Sequence, residues 1–167
     1  VLKDDGHLYA FADYRTEKEF RDVLEGIGFT IQNVCVWDKK SMGLGGTKPI
    51  NYRTQYELII FATFDDPRLL NNRGPDVFKH PRADTSEQSH PTEKPTGLLS
   101  QLVENSSNEG DRILDPFMGS GTTAVAAIQN DREYVGFEVD EDNYRDVIER
   151  RIGEAKRQRD AEVNASE

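Results

Sequence analysis

The sequence predicts an α/β fold, a mostly parallel sheet with one antiparallel strand and flanking helices. Apolar runs of strand length alternate with segments of helical spacing, the pattern of an α/β sheet. Two β-branched, aromatic-rich runs, 29–39 and 56–64, are joined by a glycine-rich loop, which predicts an antiparallel pair. The stretch RILDPFMGSGTTAVAA, 112–127, reads as a strand ending in an acid, then a glycine turn, then a helix.

Along the chain, GHLYAFAD (6–13) follows a turn at Asp5-Gly6 and reads as a buried strand. Thr16-x-x-Glu19 has the spacing of a capping box. It precedes Phe20, Val23, Leu24 and Ile27 at helical spacing, and Gly26 and Gly28 end that helix. After the 29–39 and 56–64 strands, residues 65–93 are rich in Pro, Asp, Asn and Arg with little periodicity, and read as a long loop or small insertion. Pro95 opens a helix over 95–105 with Leu98, Leu99, Leu102 and Val103 on one face. Strand 112–115, helix 121–130 and strand 133–140 follow. A last helix begins near 142, with Tyr144, Val147, Ile148 and Ile152 in one stripe, and the polar tail after Arg159 is expected to fray. The domain reading is 1–64, an insertion at 65–93, a second half at 94–152, and a tail at 153–167.

The 167 residues suffice for one domain with a core. No apolar run approaches the ~18–20 residues that span a bilayer. The single cysteine, Cys35, excludes an internal disulfide and any Cys-rich zinc site, so a reducing cytoplasm is expected and Cys35 reads as core. The net charge of −10 argues against a generally basic nucleic-acid binder but leaves room for a local basic groove. An acid-rich, lysine-poor composition suits a high-salt cytoplasm, and equally an ordinary solvated surface.

Asp115 stands at a strand's carboxyl end, where open α/β sheets bind ligands. Pro116 stiffens the exit, and Gly119 and Gly121 let the backbone turn and approach a ligand closely. Thr122 begins the next helix. Glu138, roughly 20 residues on, sits where an acid accepts hydrogen bonds from ribose hydroxyls. The residues point to a ribose-bearing cofactor; the alternative is a tight strand–helix connection.

HPTEKP (90–95), DPFMGSGTT (115–123) and VGFEVD (135–140) resemble the cofactor half of the amino-group DNA methyltransferases, which modify adenine N-6 or cytosine N-4. The order resembles the permuted subgroup, in which the target-base half comes first. The resemblance extends to about residue 152 and implies a Rossmann-like, three-layer S-adenosylmethionine methyltransferase fold in a prokaryotic or viral protein. It implies that Asp115, Pro116, Phe117, Gly119, Ser120, Gly121 and Thr122 surround the methionine part of the cofactor. Glu138 would bind its ribose, and Thr92, Lys94 and Pro95 would lead into a helix closing the pocket. Phe117, Phe137 and Val139 read equally as cofactor walls or core.

One feature of the family is missing. Its catalytic signature, Asp/Asn/Ser-Pro-Pro-Tyr/Phe, has no counterpart, for the chain contains no Pro-Pro pair. In the permuted subgroup the signature falls upstream of Val1. The expected fold is therefore incomplete at its N-terminus, with strands 7–13 and 112–115 flanking the absent strand. A fragment, split-gene half or remnant follows, in which a longer chain, a second polypeptide or a dimer partner supplies the rest. The resemblance makes DNA the substrate. An RNA or small-amine methyltransferase, or an incomplete cofactor- or DNA-binding relative, are the alternatives. The methylated base and any accompanying restriction enzyme stay open.

By the same resemblance Trp37 borders the target-base pocket, where it would stack on a base or sugar; a half-buried strand-end tryptophan is the other reading. Lys39, Lys40, Lys48 and Arg53 form the densest basic cluster in 30–60 and suit phosphate contacts, or simply solvated charge. His80 and His90 show no metal-ligand spacing, and no metal is expected.

Overall fold

A computed structural model describes residues 2–41, 50, 52–82 and 93–166. The chain forms two compact units, Val1–Arg82 and Ala83–Glu167.

The first unit carries strand β1 (His7–Ala12), helix α1 (Glu17–Gly26), and strands β2 (Thr30–Asp38), β3 (Tyr56–Thr63) and β4 (Val77–Lys79). They form one sheet in the order β1-β3-β2-β4. β3 runs antiparallel to both β1 and β2, and β4 pairs parallel with β2. The expected antiparallel pair is therefore present, and β3 is the one reversed strand. Its Ile59 and Ile60 point to opposite faces and are both fully buried, as suits a central strand. On one face Leu24 of α1 packs with Ala12, Ile60 and Ala62, flanked by Leu8, Ala10, Phe29 and Ile31. The other face is aromatic, with Tyr9 stacked on Phe61 at 4.9 Å and Phe11 edge-on to Trp37 at 6.5 Å.

Two local expectations are corrected here. Thr16 and Glu19 form no capping box, for Thr16 makes no side-chain cap bond. Asp13 instead closes the turn ahead of the helix, its Oδ1 accepting from the Arg15 and Thr16 N–H groups at 2.8 and 3.0 Å. The turn before the helix offered a shorter reach than the box. The 65–93 interval, read as loop, contains β4, whose Phe78 is buried. Three residues are too few to show a period. The helix does stop at glycine. Gly28 takes φ +99° while the Phe29 N–H reaches back to the Leu24 carbonyl at 2.9 Å.

The second unit carries helix α2 (Thr96–Ser106), strand β5 (Arg112–Asp115), helix α3 (Thr122–Gln129), strand β6 (Glu133–Gly136) and helix α4 (Glu141–Ser166). β5 and β6 pair in parallel. Leu98, Leu99, Leu102 and Val103 of α2 are all buried, as their spacing predicts, each worth ~1.5–3 kcal/mol of burial. The small side chains of α3 let it be buried almost throughout, packed against both α2 and α4. Val125, Ile128 and Ala155 form a core with Tyr134 and Ile152. α4 does not fray after Arg159. It continues to Ser166, with i,i+4 pairs Arg145–Glu141 and Arg150–Glu154 along its length. β6 ends at Gly136, four residues before the expected end, so Glu138 lies in the loop beyond the strand.

β1 and β5 lie in separate sheets, and each has a single ladder partner among the described residues, β3 and β6 respectively. Among the described residues, no helix is long and apolar enough to cross a membrane.

Candidate cofactor cleft and basic surface

The loops leaving β5 and β6 continue the ladder beyond the strands. The Phe137 N–H donates to the Asp115 carbonyl at 3.0 Å, and the Met118 N–H donates to the Phe137 carbonyl at 2.9 Å. Two acids fasten the turn. Asp115 accepts the Phe117 N–H on Oδ1 at 3.0 Å and the Thr123 hydroxyl on Oδ2 at 2.5 Å. Glu138 accepts the Gly119 N–H on Oε2 at 2.7 Å and the Asp140 N–H on Oε1 at 2.9 Å. Gly119 and Gly121 take φ +52° and +83°, left-handed values that favour glycine. Gly121 is the N-cap of α3, and its N–H closes the turn on the Met118 carbonyl at 2.9 Å.

Zipping the loops together turns apolar side chains outward. Phe117 is 88% exposed, and Phe137 and Val139 are exposed as well. With Pro116 and Glu138 they line a cleft of about 260 Å³. Among the described residues, none of the three packs into a core. An apolar cleft with one fixed carboxylate suits a flat, apolar ring carrying hydroxyl groups. Ser120 and Thr122 are buried beneath the turn, their hydroxyls 3.5 Å apart.

Pro95 is the N-cap of α2 and its carbonyl accepts the Leu98 and Leu99 N–H groups at 3.1 and 3.3 Å. Lys94 is half-buried beside it. Thr92 and Lys48 lie outside the described residues.

The basic surface is smaller than the sequence suggests. Trp37 is 2% exposed, its Nε1–H donating to the His80 carbonyl at 2.8 Å, so it is a core residue with no face for a base. Lys39 lies over the Trp37 ring at 4.8 Å and pairs with Glu57 at 3.4 Å. Lys40 and Arg53 are exposed. Lys79 is exposed on β4 in register with Asp38, and its charge and that of Lys40 help hold the Asp38 carboxyl low, after the Gln55 side chain and the Lys40 N–H. Cys35 is buried, and that burial pushes its thiol up to about 11, against formation of a thiolate. Among the described residues no three His, Cys, Asp or Glu side chains gather as a metal site would need.

Sequence reasoning missed four residues at the cleft. Thr123 bonds Asp115. Gly136 makes room for Met118, for a Cβ there would stand 2.0 Å from the Met118 sulfur. Glu93 and Arg151 form an ion pair at 2.7 Å, and Arg151 reaches Ser120. The only advance signal for Glu93 was its place inside HPTEKP; Arg151 looked like one more helix cation.

Residues 71–150 match the family model described as DNA methylase. The chain is 32% identical over 158 residues to the type II methyltransferase M2.MboI of Moraxella bovis, an alignment covering 83% of this chain and 56% of that protein. The chain thus spans just over half the length of that relative. Among solved structures, the M1.HpyAVI–SAM complex is similar with a TM-score of 0.78 at 24% identity, covering 90% of this chain and 76% of that one. The PvuII DNA methyltransferase, cytosine-N4-specific, is similar with a TM-score of 0.72 at 15% identity, covering 91% of this chain and 72% of that one. The fold is therefore the mixed α/β, Rossmann-like fold of S-adenosylmethionine-dependent methyltransferases, as the resemblance implies. From the matched residues and the M2.MboI alignment together, the chain is similar to the DNA methylases.

Proposed function

We propose that the chain binds S-adenosylmethionine in the 115–139 cleft and serves methyl transfer to an exocyclic amine of adenine or cytosine in DNA. The observation that carries this reading is the zipped pair of loops, with exposed Phe117, Phe137 and Val139 beside a fixed Glu138. Pro116, Phe117, Phe137 and Val139 would hold the purine. Glu138 would take the ribose hydroxyls. Both its oxygens already hold a backbone N–H, and each keeps a second lone pair, so it is oriented before the ligand arrives. Asp115, Gly119, Ser120, Gly121 and Thr122 would shape the wall around the methionine part. Lys94 and Pro95, with Thr92 ahead of them, would lead into α2 at the pocket's margin. S-adenosylmethionine supplies an electrophilic methyl group on a sulfonium.

The amine is a weak nucleophile because its lone pair is delocalised into the ring. It needs hydrogen-bond acceptors and in-line placement, and a base in duplex DNA must first be flipped out. Asp-Pro-Pro-Tyr supplies such acceptors in the family that the sequence resembles, and no Pro-Pro pair occurs here. A strand from another segment or polypeptide, laid beside β5, would bring them. Lys40, Lys79 and Arg53 are the exposed cations suited to phosphate.

Calorimetric titration with S-adenosylmethionine, at low and molar salt, tests the cleft. Glu138→Ala and Asp115→Ala should each raise Kd about tenfold or more, the scale of a hydrogen bond to a charged group. Unchanged binding in both variants refutes the site. Methyl transfer to DNA on adding an Asp-Pro-Pro-Tyr segment tests the activity.

A further inference from the structure

The Ser120–Gly121 peptide is the weak point of the glycine turn. Gly121 has no Cβ and tolerates φ of either sign, so a flip of this peptide meets little steric resistance there. Hydrogen bonds must hold it. On one side the Gly121 N–H donates to the Met118 carbonyl. On the other, Arg151 Nη1 donates to the Ser120 carbonyl at 3.2 Å and to its hydroxyl at 2.8 Å. Ser120 is buried, so without Arg151 its carbonyl would lose a partner that water cannot readily replace.

Arg151 is itself held. Its side chain is 14% exposed and pairs at 2.7 Å with Glu93, whose side chain is 5% exposed. One nitrogen, Nη1, reaches both partners, and the rigid guanidinium plane fixes where it stands, where the ammonium of a lysine sits on a flexible stem. Glu93 directly precedes Lys94 and Pro95, the residues leading into α2.

We propose that Arg151 is a positioning residue for the cofactor: anchored by Glu93, it locks the Ser120–Gly121 peptide and ties the 93–95 segment to the glycine turn. Binding at the turn and seating of that segment are then one event. The inference rests on the reading of the cleft as an S-adenosylmethionine site.

The test compares wild type, Arg151→Lys, Arg151→Met and Arg132→Met by calorimetric titration with S-adenosylmethionine. Arg132 is a matched control, its guanidinium held by the Ser107 carbonyl at 2.6 Å and hydroxyl at 3.0 Å, away from the turn. Kd should rise about tenfold or more in Arg151→Met, by less in Arg151→Lys, and stay within about twofold in Arg132→Met. An unchanged Kd in Arg151→Met, or an equal rise in Arg132→Met, overturns the proposal. If Arg151→Met does not fold, Arg151→Lys decides by the same comparison.

Amide hydrogen exchange without cofactor separates the clamp from the cofactor reading. Protection over 118–122 should fall about tenfold in Arg151→Lys while Leu98–Val103 of α2 keep theirs. Unchanged protection at the turn overturns the clamp. Failure of the wild type to bind S-adenosylmethionine, with protection lost as expected, sinks the cofactor reading and leaves the clamp standing.

Discussion

Gly136 shows how one missing side chain shapes the cleft. The Met118 side chain crosses the space where a Cβ would be, and its backbone N–H holds the Phe137 carbonyl. Gly136→Ala should therefore force Met118 aside and cost about 1–3 kcal/mol, the usual penalty for overpacking. Adding Met118→Ala should recover much of that loss. A double-mutant cycle by urea denaturation checks this; strictly additive effects would mean the two residues do not meet. His7 offers a pH test. Burial lowers its pKa below the ordinary 6.5, against the Arg68 carbonyl bond that raises it, and its Nε2 lies 2.8 Å from that carbonyl. The unfolded chain then takes up the proton first as pH falls through 6.5, so stability is full above that value and declines below it. His7→Asn should flatten the decline between about pH 7.5 and 5.5, as read from denaturation midpoints at each pH. Asp13 and Asp38 are held below the ordinary 3.8 and titrate outside that window. At this scale the sequence was half legible. Asp115, Gly119, Gly121 and Glu138 stood out because their chemistry and spacing are unusual. Whether Phe117 faced core or solvent could not be read, because the outcome depends on how the loop folds back on Asp115 and Phe137. Trp37 misled for the opposite reason, since its burial rests on His80, 43 residues away.

Helices and strands were legible where one side of an element had one job. The α2 face of Leu98, Leu99, Leu102 and Val103 is a single uninterrupted stripe, and its period survives into the structure. β4 is three residues long in a proline- and asparagine-rich interval, and only pairing with β2 makes it a strand. α4 carried no apolar stripe beyond Ala155, so its last turns looked unstructured; they continue the helix from a stem whose i,i+4 ion pairs end at Glu154. The start of α1 is the case where a local pattern pointed to the wrong partner. Asp13 fastens the turn that leads into the helix, while Thr16 contributes only long contacts to Asp13 at 3.3 Å. Asp13→Ala should thus lower the denaturation midpoint more than Glu19→Ala does. The reverse order would restore the capping box in solution.

At the scale of the whole molecule, net charge and open edges pull against each other. The charge of −10 keeps copies apart, while β5 presents a side with no ladder partner among the described residues. On the β5–β6 sheet, Leu114 and Val135 are cross-strand partners and both exposed, which adds an apolar surface beside one edge. Edges this short template other strands weakly, so repulsion should dominate at low salt. The Debye length shrinks from about 10 Å at 0.1 M salt to about 3 Å at 1 M, which is less than the spacing between neighbouring strands. Screening then acts twice. It relieves repulsion within one chain, which raises the denaturation midpoint. It also removes repulsion between chains, which lets the edges meet. Sedimentation velocity across that salt range should show growing self-association alongside the rising midpoint. A peptide carrying an Asp-Pro-Pro-Tyr strand should suppress the association by occupying an edge. A chain that stays monomeric at molar salt without the peptide would show that the edges are already protected, and the case for a strand supplied from elsewhere would fall with them.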